Sequence, residues 1–85
     1  MIQIILSVKD TAAQAFGRPM FLPSSAVGVR SFRDEINRSD ANNEMFKHPE
    51  DFELYELGSY DDSTGIIECP GPRLVARAKD LKESA

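Results

Sequence analysis

The 85-residue chain has no tryptophan, one cysteine and no apolar run near the roughly 20 residues that a membrane-spanning helix needs. The lone Cys69 excludes an internal disulfide and is typical of a reducing compartment. The apolar start, residues 1–10, is too short for a signal peptide and has no basic front. We therefore expect one small domain with a modest core, located in the cytoplasm and outside any membrane.

The sequence also lacks the motifs that support catalysis or metal binding. It has no glycine-rich phosphate loop, no Gly-x-Ser-x-Gly and no Cys-x-x-Cys. The only histidine, His48, has no second histidine or cysteine at ligand spacing. Glu53 and Glu56 would fall on opposite faces of a strand because their separation is odd, and Asp61 and Asp62 fit a tight turn better than a calcium loop. We expect a protein that is not an enzyme and that takes no metal or cofactor.

Positive charge is scarce and unevenly placed. The net charge is −4, from 10 lysines and arginines against 14 aspartates and glutamates. Residues 1–38 hold five basic and three acidic residues, whereas residues 40–68 hold one lysine and nine carboxylates. This composition is unlike that of a protein that coats nucleic acid. A local basic face on the first half is compatible with this composition. The simpler explanation of the uneven charge is that the charged side chains are scattered over the surface and solvated.

Alternating apolar residues predict strands at about residues 2–8 and 52–60. A hairpin through Asp61–Gly65 leads into a return strand at Ile66–Cys69. Simple alternation along the second strand assigns Phe52, Leu54 and Tyr60 to one face, and Tyr55 and Leu57 to the other. The chain is therefore predicted to form an α+β domain over residues 1–70, with a mainly antiparallel sheet and one or two short helices. Residues 71–85 are predicted to be a weakly structured or helical C-terminal tail.

Three segments are less clear. Asp10–Gly17 predicts a short helix or a helical turn. Residues 19–30 fit either a hairpin of Met20–Leu22 with Ala26–Arg30 or part of a longer helix, and the hairpin is favoured because Val27, Gly28 and Val29 are poor helix formers. Ser31 then begins a capped helix of about two turns over residues 31–38.

Three motifs carry a resemblance to a known family. They are V-x-D-x-x-A-x-x-F-x-x-P-x-F at Val8–Phe21, A-V-x-V-R-S-F at Ala26–Phe32, and an H-P-E-D block that runs from His48 to Gly65. Together they resemble the small non-structural protein of gokushovirus-type microviruses, tailless phages with circular single-stranded DNA genomes. The resemblance covers about residues 7–68. It implies a DNA-binding protein of the host cytoplasm, a counterpart of the microvirus packaging protein, that acts in late single-stranded DNA synthesis and packaging into procapsids.

Single-strand binding needs basic groups for phosphates and aromatic faces for bases. The candidate nucleic-acid-binding residues are Arg18, Arg30, Arg33, Arg38, Lys47 and Tyr55. Phe16, Phe21 and Phe32 are further candidates for stacking, although core packing is the simpler role for each aromatic. Of the arginines, Arg30 and Arg33 lie closest together near the predicted helix start.

Two partners besides DNA are expected. In the alternative interpretation, the acidic second half docks on a basic replication, procapsid or host protein and no DNA is bound. In addition, the apolar residues on both faces of the strand over residues 52–60 predict a homodimer with two-fold symmetry.

Overall fold

The computed structural model describes residues 1–83, which form a six-stranded antiparallel sheet with helices on one side. The strands are β1 (Ile2–Asp10), β2 (Ala15–Phe16), β3 (Met20–Leu22), β4 (Phe52–Asp61), β5 (Ile66–Glu68) and β6 (Arg73–Arg77). The helices are α1 (Ser25–Ile36), α2 (Glu44–Lys47) and α3 (Ala78–Leu81), with a 3-10 turn at Pro49–Asp51. The predicted α+β class with an antiparallel sheet is confirmed, with three short helices among the described residues.

Strands β1 and β4 form the centre of the sheet and pair along their whole length. On the outer edge of β1, β3 pairs with its first half and β2 with its end. On the outer edge of β4, β6 pairs with its first half and β5 with its end. The pairing of β1 with β4 shifts at one point, where Ile5 opposes Gly58 and Leu6 opposes Glu56. Leu57 is therefore an extra residue, a β-bulge.

The core lies between the sheet and the helices. Leu6 of β1 and Leu54 of β4 are fully buried at its centre, and Phe32, Ile36 and Ala78 cover them. Ile4 and Val8 pack against the same cluster, so the even-numbered residues of β1 face the helices. Among residues 1–83, no helix has both the length and the apolar content needed to cross a membrane.

Helix α1 begins earlier than the sequence predicts. Its N-cap is Ser24, whose hydroxyl accepts a hydrogen bond from the Val27 amide at 3.3 Å. The favoured hairpin partner at Ala26–Arg30 was therefore wrong, and so was the N-cap at Ser31. Burial outweighed the weak helix propensities of this stretch, because Gly28 packs directly on β1: a Cβ on Gly28 would overlap the Leu6 side chain.

The segment predicted as a short helix or a helical turn at Asp10–Gly17 is a turn that leads into β2. The Asp10 carboxylate accepts hydrogen bonds from the amides of Ala12 and Ala13, and Gln14 has a positive φ of 56°. Pairing of β2 with the end of β1 reverses the chain here. A side chain that could have capped a helix instead closes a turn.

Part of the predicted C-terminal tail belongs to the sheet. Arg73–Arg77 form β6, which pairs with β4, and Ala78 at the start of α3 is fully buried. The sequence of Arg73–Arg77, a short run after Pro70 and Pro72, does not predict this strand. Its pairing partner lies some twenty residues earlier in the chain, so no local pattern indicates it. Residues 84 and 85 of the tail lie outside the described part of the chain.

Candidate nucleic-acid interface

The face of the sheet that points away from the helices carries four aromatic residues; we call it the open face. Each aromatic lies opposite an odd-numbered residue of β1, whereas the even-numbered residues of β1 face the helices. The pairs are Phe16 with Lys9, Phe21 with Ile5, Tyr55 with Ser7, and Tyr60 with Gln3. Phe16 is 42% exposed and Phe21 is 47% exposed, so no helix covers them.

The first aromatic pair on the open face is Phe16 and Tyr55. Their ring centroids are 5.4 Å apart and the rings are nearly perpendicular, at 76°. The ammonium of Lys9 lies 5.5 Å from the Phe16 centroid and 5.9 Å from that of Tyr55. Both distances are within the range of cation–π attraction. This pair covers the buried Ser7, whose hydroxyl donates to the Gly17 carbonyl.

The second pair is Phe21 and Tyr60, with centroids 5.8 Å apart at 83°. It covers the buried Ile5. The β1 residues opposite the two tyrosines, Ser7 and Gln3, are four positions apart, so the pairs are separated by about 13 Å along the strand. The open face therefore presents two partly exposed aromatic clusters.

Charged groups surround the first pair. The Tyr55 hydroxyl donates to Glu53 Oε1 at 3.0 Å, and this carboxylate raises the pKa of Tyr55 above its usual value. The other carboxylate oxygen of Glu53 lies 3.4 Å from Nε of Arg77. With Lys9, the local balance is two positive charges and one negative charge. The surface can attract phosphate weakly, and Glu53 opposes that attraction.

The predicted site residues do not form one surface. Arg30 and Arg33 are exposed on α1, which packs on the opposite side of the sheet from Tyr55. Arg18 lies between β2 and β3, in the edge segment that joins Phe16 to Phe21. Of the candidate arginines, only Arg18 is in a segment that carries open-face aromatics.

Two of the predicted basic residues already have acidic partners. The Arg38 guanidinium binds both oxygens of Glu35 and one of Asp40, at 2.7–3.2 Å. This contact lowers the pKa of Glu35 and raises that of Arg38. Lys47 lies 3.5 Å from Glu44. A phosphate would have to compete with these carboxylates.

Two aromatic assignments made from the sequence were wrong, and two basic residues were missed. Phe32 is only 4% exposed and belongs to the core, so its candidacy for stacking was wrong. Tyr60 was assigned to the face of Leu54, but the extra residue moves it to the open face beside Tyr55. Lys9 and Arg77 were missed, because no local signal shows that strand pairing brings them to Tyr55.

One group of potential metal ligands occurs among the described residues. Ligand atoms of His48, Glu50 and Asp51 lie within 4.8 Å of one another. His48, just before the 3-10 turn, and Glu50, within it, are exposed, and the His48 ring is also 3.8 Å from Glu44. Exposed carboxylates around a histidine occur commonly without an ion, so this turn carries no metal assignment.

Comparison with known proteins identifies related sequences. The sequence model of a family described as "Phage ORF5 protein" matches residues 3–81. Protein ORF5 of Chlamydia phage 1 is 33% identical over 61 residues, which are 69% of this chain and 64% of that relative. The match therefore spans slightly less than two thirds of the relative's length. No solved structure matches the chain.

Proposed function

Because the chain belongs to the Phage ORF5 protein family, we propose that it is a non-structural phage protein that binds single-stranded DNA on its open face. The proposal rests on one observation: two aromatic pairs on an uncovered sheet face, with Lys9 beside the first pair. The stage of action follows from the resemblance to the gokushovirus protein. We propose that this protein acts in late DNA synthesis and packaging, in the host cytoplasm and without enzymatic activity.

The open face has the chemistry that single-strand binding requires. Aromatic side chains stack on bases without regard to sequence, at about 1–3 kcal/mol per base. The spacing of about 13 Å between the pairs lets each pair contact a different base of one strand. The basic groups near this face are Lys9, Arg77, which is paired with Glu53, and Arg18, which lies in the edge segment between β2 and β3.

Affinity should be modest, with a weak dependence on salt. Two or three neutralised phosphates give a slope of log affinity against log salt of about −1.4 to −2, since each contributes about −0.7 for single strands. The net charge of −4 also opposes DNA binding at low ionic strength. Stacking is therefore expected to supply most of the binding free energy.

The test compares the open face with the basic residues of α1 as the surface that binds DNA. Fluorescence anisotropy with a labelled oligothymidine at low salt should show binding by the wild-type protein. Replacing Phe16 and Tyr55 together by leucine should weaken binding by about tenfold or more, because two stacking partners are lost. The double reversal Arg30→Glu and Arg33→Glu should have a smaller effect, although it changes the charge more. Circular dichroism and melting temperature report whether each variant folds.

Two results would overturn the proposal. Absence of binding by the folded wild-type protein at low salt would remove the DNA-binding function. Loss of binding in the Arg30/Arg33 variant, with full binding in the Phe16/Tyr55 variant, would move the site to α1. In that case the basic strip predicted from the sequence would be the interface.

A further inference from the structure

A second surface lies on the helix side of the sheet, along the edge formed by β1, β2 and β3. It is a groove with two adjoining sections, of about 560 and 430 Å³. Both sections are lined by Val8 and Met45, so they form one continuous depression. The first section runs toward α1 and the second toward the turn that precedes β2. We call this depression the edge groove.

The floor of the edge groove is apolar and adaptable. Val8, Met20, Phe32 and Met45 line its first section. Met20 and Met45 are only partly buried, although both pack against the core. Methionine side chains are flexible and polarisable, so they adjust to different apolar partners. The floor can accept the apolar side chains of a peptide segment.

The rim of the edge groove is acidic. Four carboxylates line it: Asp10, Asp34, Glu35 and Glu44. The one basic lining residue is Arg38, whose guanidinium is held by Glu35 and Asp40. Asp34 is exposed and makes no ion pair within residues 1–83. The contacts of Glu44 with Lys47 and His48, at 3.5 and 3.8 Å, are exposed and easily exchanged.

We propose that the edge groove docks a short basic segment of another protein. Apolar side chains of the segment lie on the methionine-lined floor, and its lysines or arginines pair with the rim carboxylates. The charge complementarity identifies this occupant, because the same rim repels the phosphates of a nucleic acid.

The first section of the edge groove and the open face are on opposite sides of the sheet, whereas the second section is lined in part by Phe16 of the open face. A basic segment bound in the first section therefore leaves the pair of Phe21 and Tyr60 accessible to a DNA strand. The docking proposal rests on the groove alone and stands whether or not DNA is bound.

The test uses a defined peptide and matched charge variants. The probe is a fluorescein-labelled peptide of alternating lysine and leucine, and the control peptide has glutamate in place of lysine. The rim variant is Asp34→Asn with Glu44→Gln. The matched control is Asp80→Asn with Glu68→Gln, which removes the same charge at exposed positions that do not line the groove. The floor variant is Met45→Gln, which keeps the side-chain length.

Wild-type protein should bind the lysine peptide and not the glutamate peptide. The rim variant should weaken binding by about tenfold, and the matched control should change it less than about twofold. The floor variant should weaken binding without changing its salt dependence, since no charge is altered. Amide chemical shifts on titration should change at Val8, Met20 and Met45.

Three results would overturn the docking proposal. One is no binding of the lysine peptide at low salt by the folded protein. Another is equal weakening by the rim variant and by the matched control, which would indicate general attraction to an acidic protein. The third is self-association of the wild-type protein that the rim variant abolishes, which would make a second copy the occupant.

Discussion

Tyr55 donates its phenolic hydrogen to Oε1 of Glu53 across 3.0 Å on the open face. The two residues are two positions apart on β4, so their side chains share one side of the sheet. The carboxylate raises the pKa of Tyr55, mainly through this hydrogen bond. It also places a negative charge beside the proposed stacking surface. Glu53 therefore orients the tyrosine and at the same time limits the affinity for phosphate.

Replacing Glu53 by glutamine should increase the affinity for single-stranded DNA by a factor of about 2 to 5, because a partly exposed charge of the wrong sign is removed. The same change should lower the pKa of Tyr55, measured by the absorbance of its phenolate in a Tyr60→Phe background. Glu68→Gln, an equal charge change on β5, is the control and should leave both quantities nearly unchanged. Weaker DNA binding by the Glu53 variant would contradict the proposed use of this face.

The start of α1 can be tested with two serines. Ser24→Ala should lower the free energy of unfolding by about 1 kcal/mol, because the N-cap hydrogen bond to Val27 is lost. Ser31→Ala lies inside the helix on an exposed position and should change stability by less than about 0.5 kcal/mol. Urea unfolding of both variants provides the comparison. A larger loss for Ser31→Ala would place the helix start where the sequence alone suggested it.

Gly28→Ala should destabilise the fold despite the higher helix propensity of alanine. The propensity gain is about 1 kcal/mol. However, the new Cβ would overlap Leu6 Cδ1, and Leu6 is fully buried, so its side chain can rotate away only by disturbing its close-packed neighbours. Overpacking of this kind costs about 1–3 kcal/mol, so we expect a net loss of up to about 2 kcal/mol in urea unfolding. Stabilisation would show that α1 can shift outward freely.

The sequence predicted a dimer through the strand over residues 52–60, and the structure makes strand β5, at the edge of the sheet, the expected site of self-association instead. It pairs with β4 on one edge only, and Ile66 and Ile67 are each 55% exposed. An edge strand with exposed apolar side chains readily pairs with another chain, and two-fold pairing closes the assembly. Sedimentation at micromolar concentration should give a mass above the 9.5 kDa of one chain.

Ile67→Lys should return the protein to the monomer, because a charge on an edge strand opposes pairing. Ala26→Lys, at an exposed position on α1, should leave the association unchanged. A wild-type protein that sediments as a monomer would remove the homodimer prediction.

Local patterns in the sequence determined the central strands and the turn between β4 and β5. The alternation in residues 2–8 and 52–60 predicted β1 and β4, which pair over their full length. Gly65, which ends the predicted hairpin loop, has a φ of 77° and donates to the Asp61 carbonyl. These features depend on neighbouring residues in the chain, so a short window of sequence contains the information.

The candidate interface depended on the tertiary structure. The bulge at Leu57 moves Tyr60 onto the face of Tyr55, and a period of two cannot reveal an inserted residue. Strand pairing brings Lys9 and Arg77 to Tyr55 from distant parts of the chain. Packing of Gly28 against Leu6 stabilises α1 in a stretch with weak helix propensity. The sequence by itself determined which segments alternate and where they turn. Strand pairing and burial decided which side chains share a face, because the free energies of pairing and burial arise only between segments that are in contact.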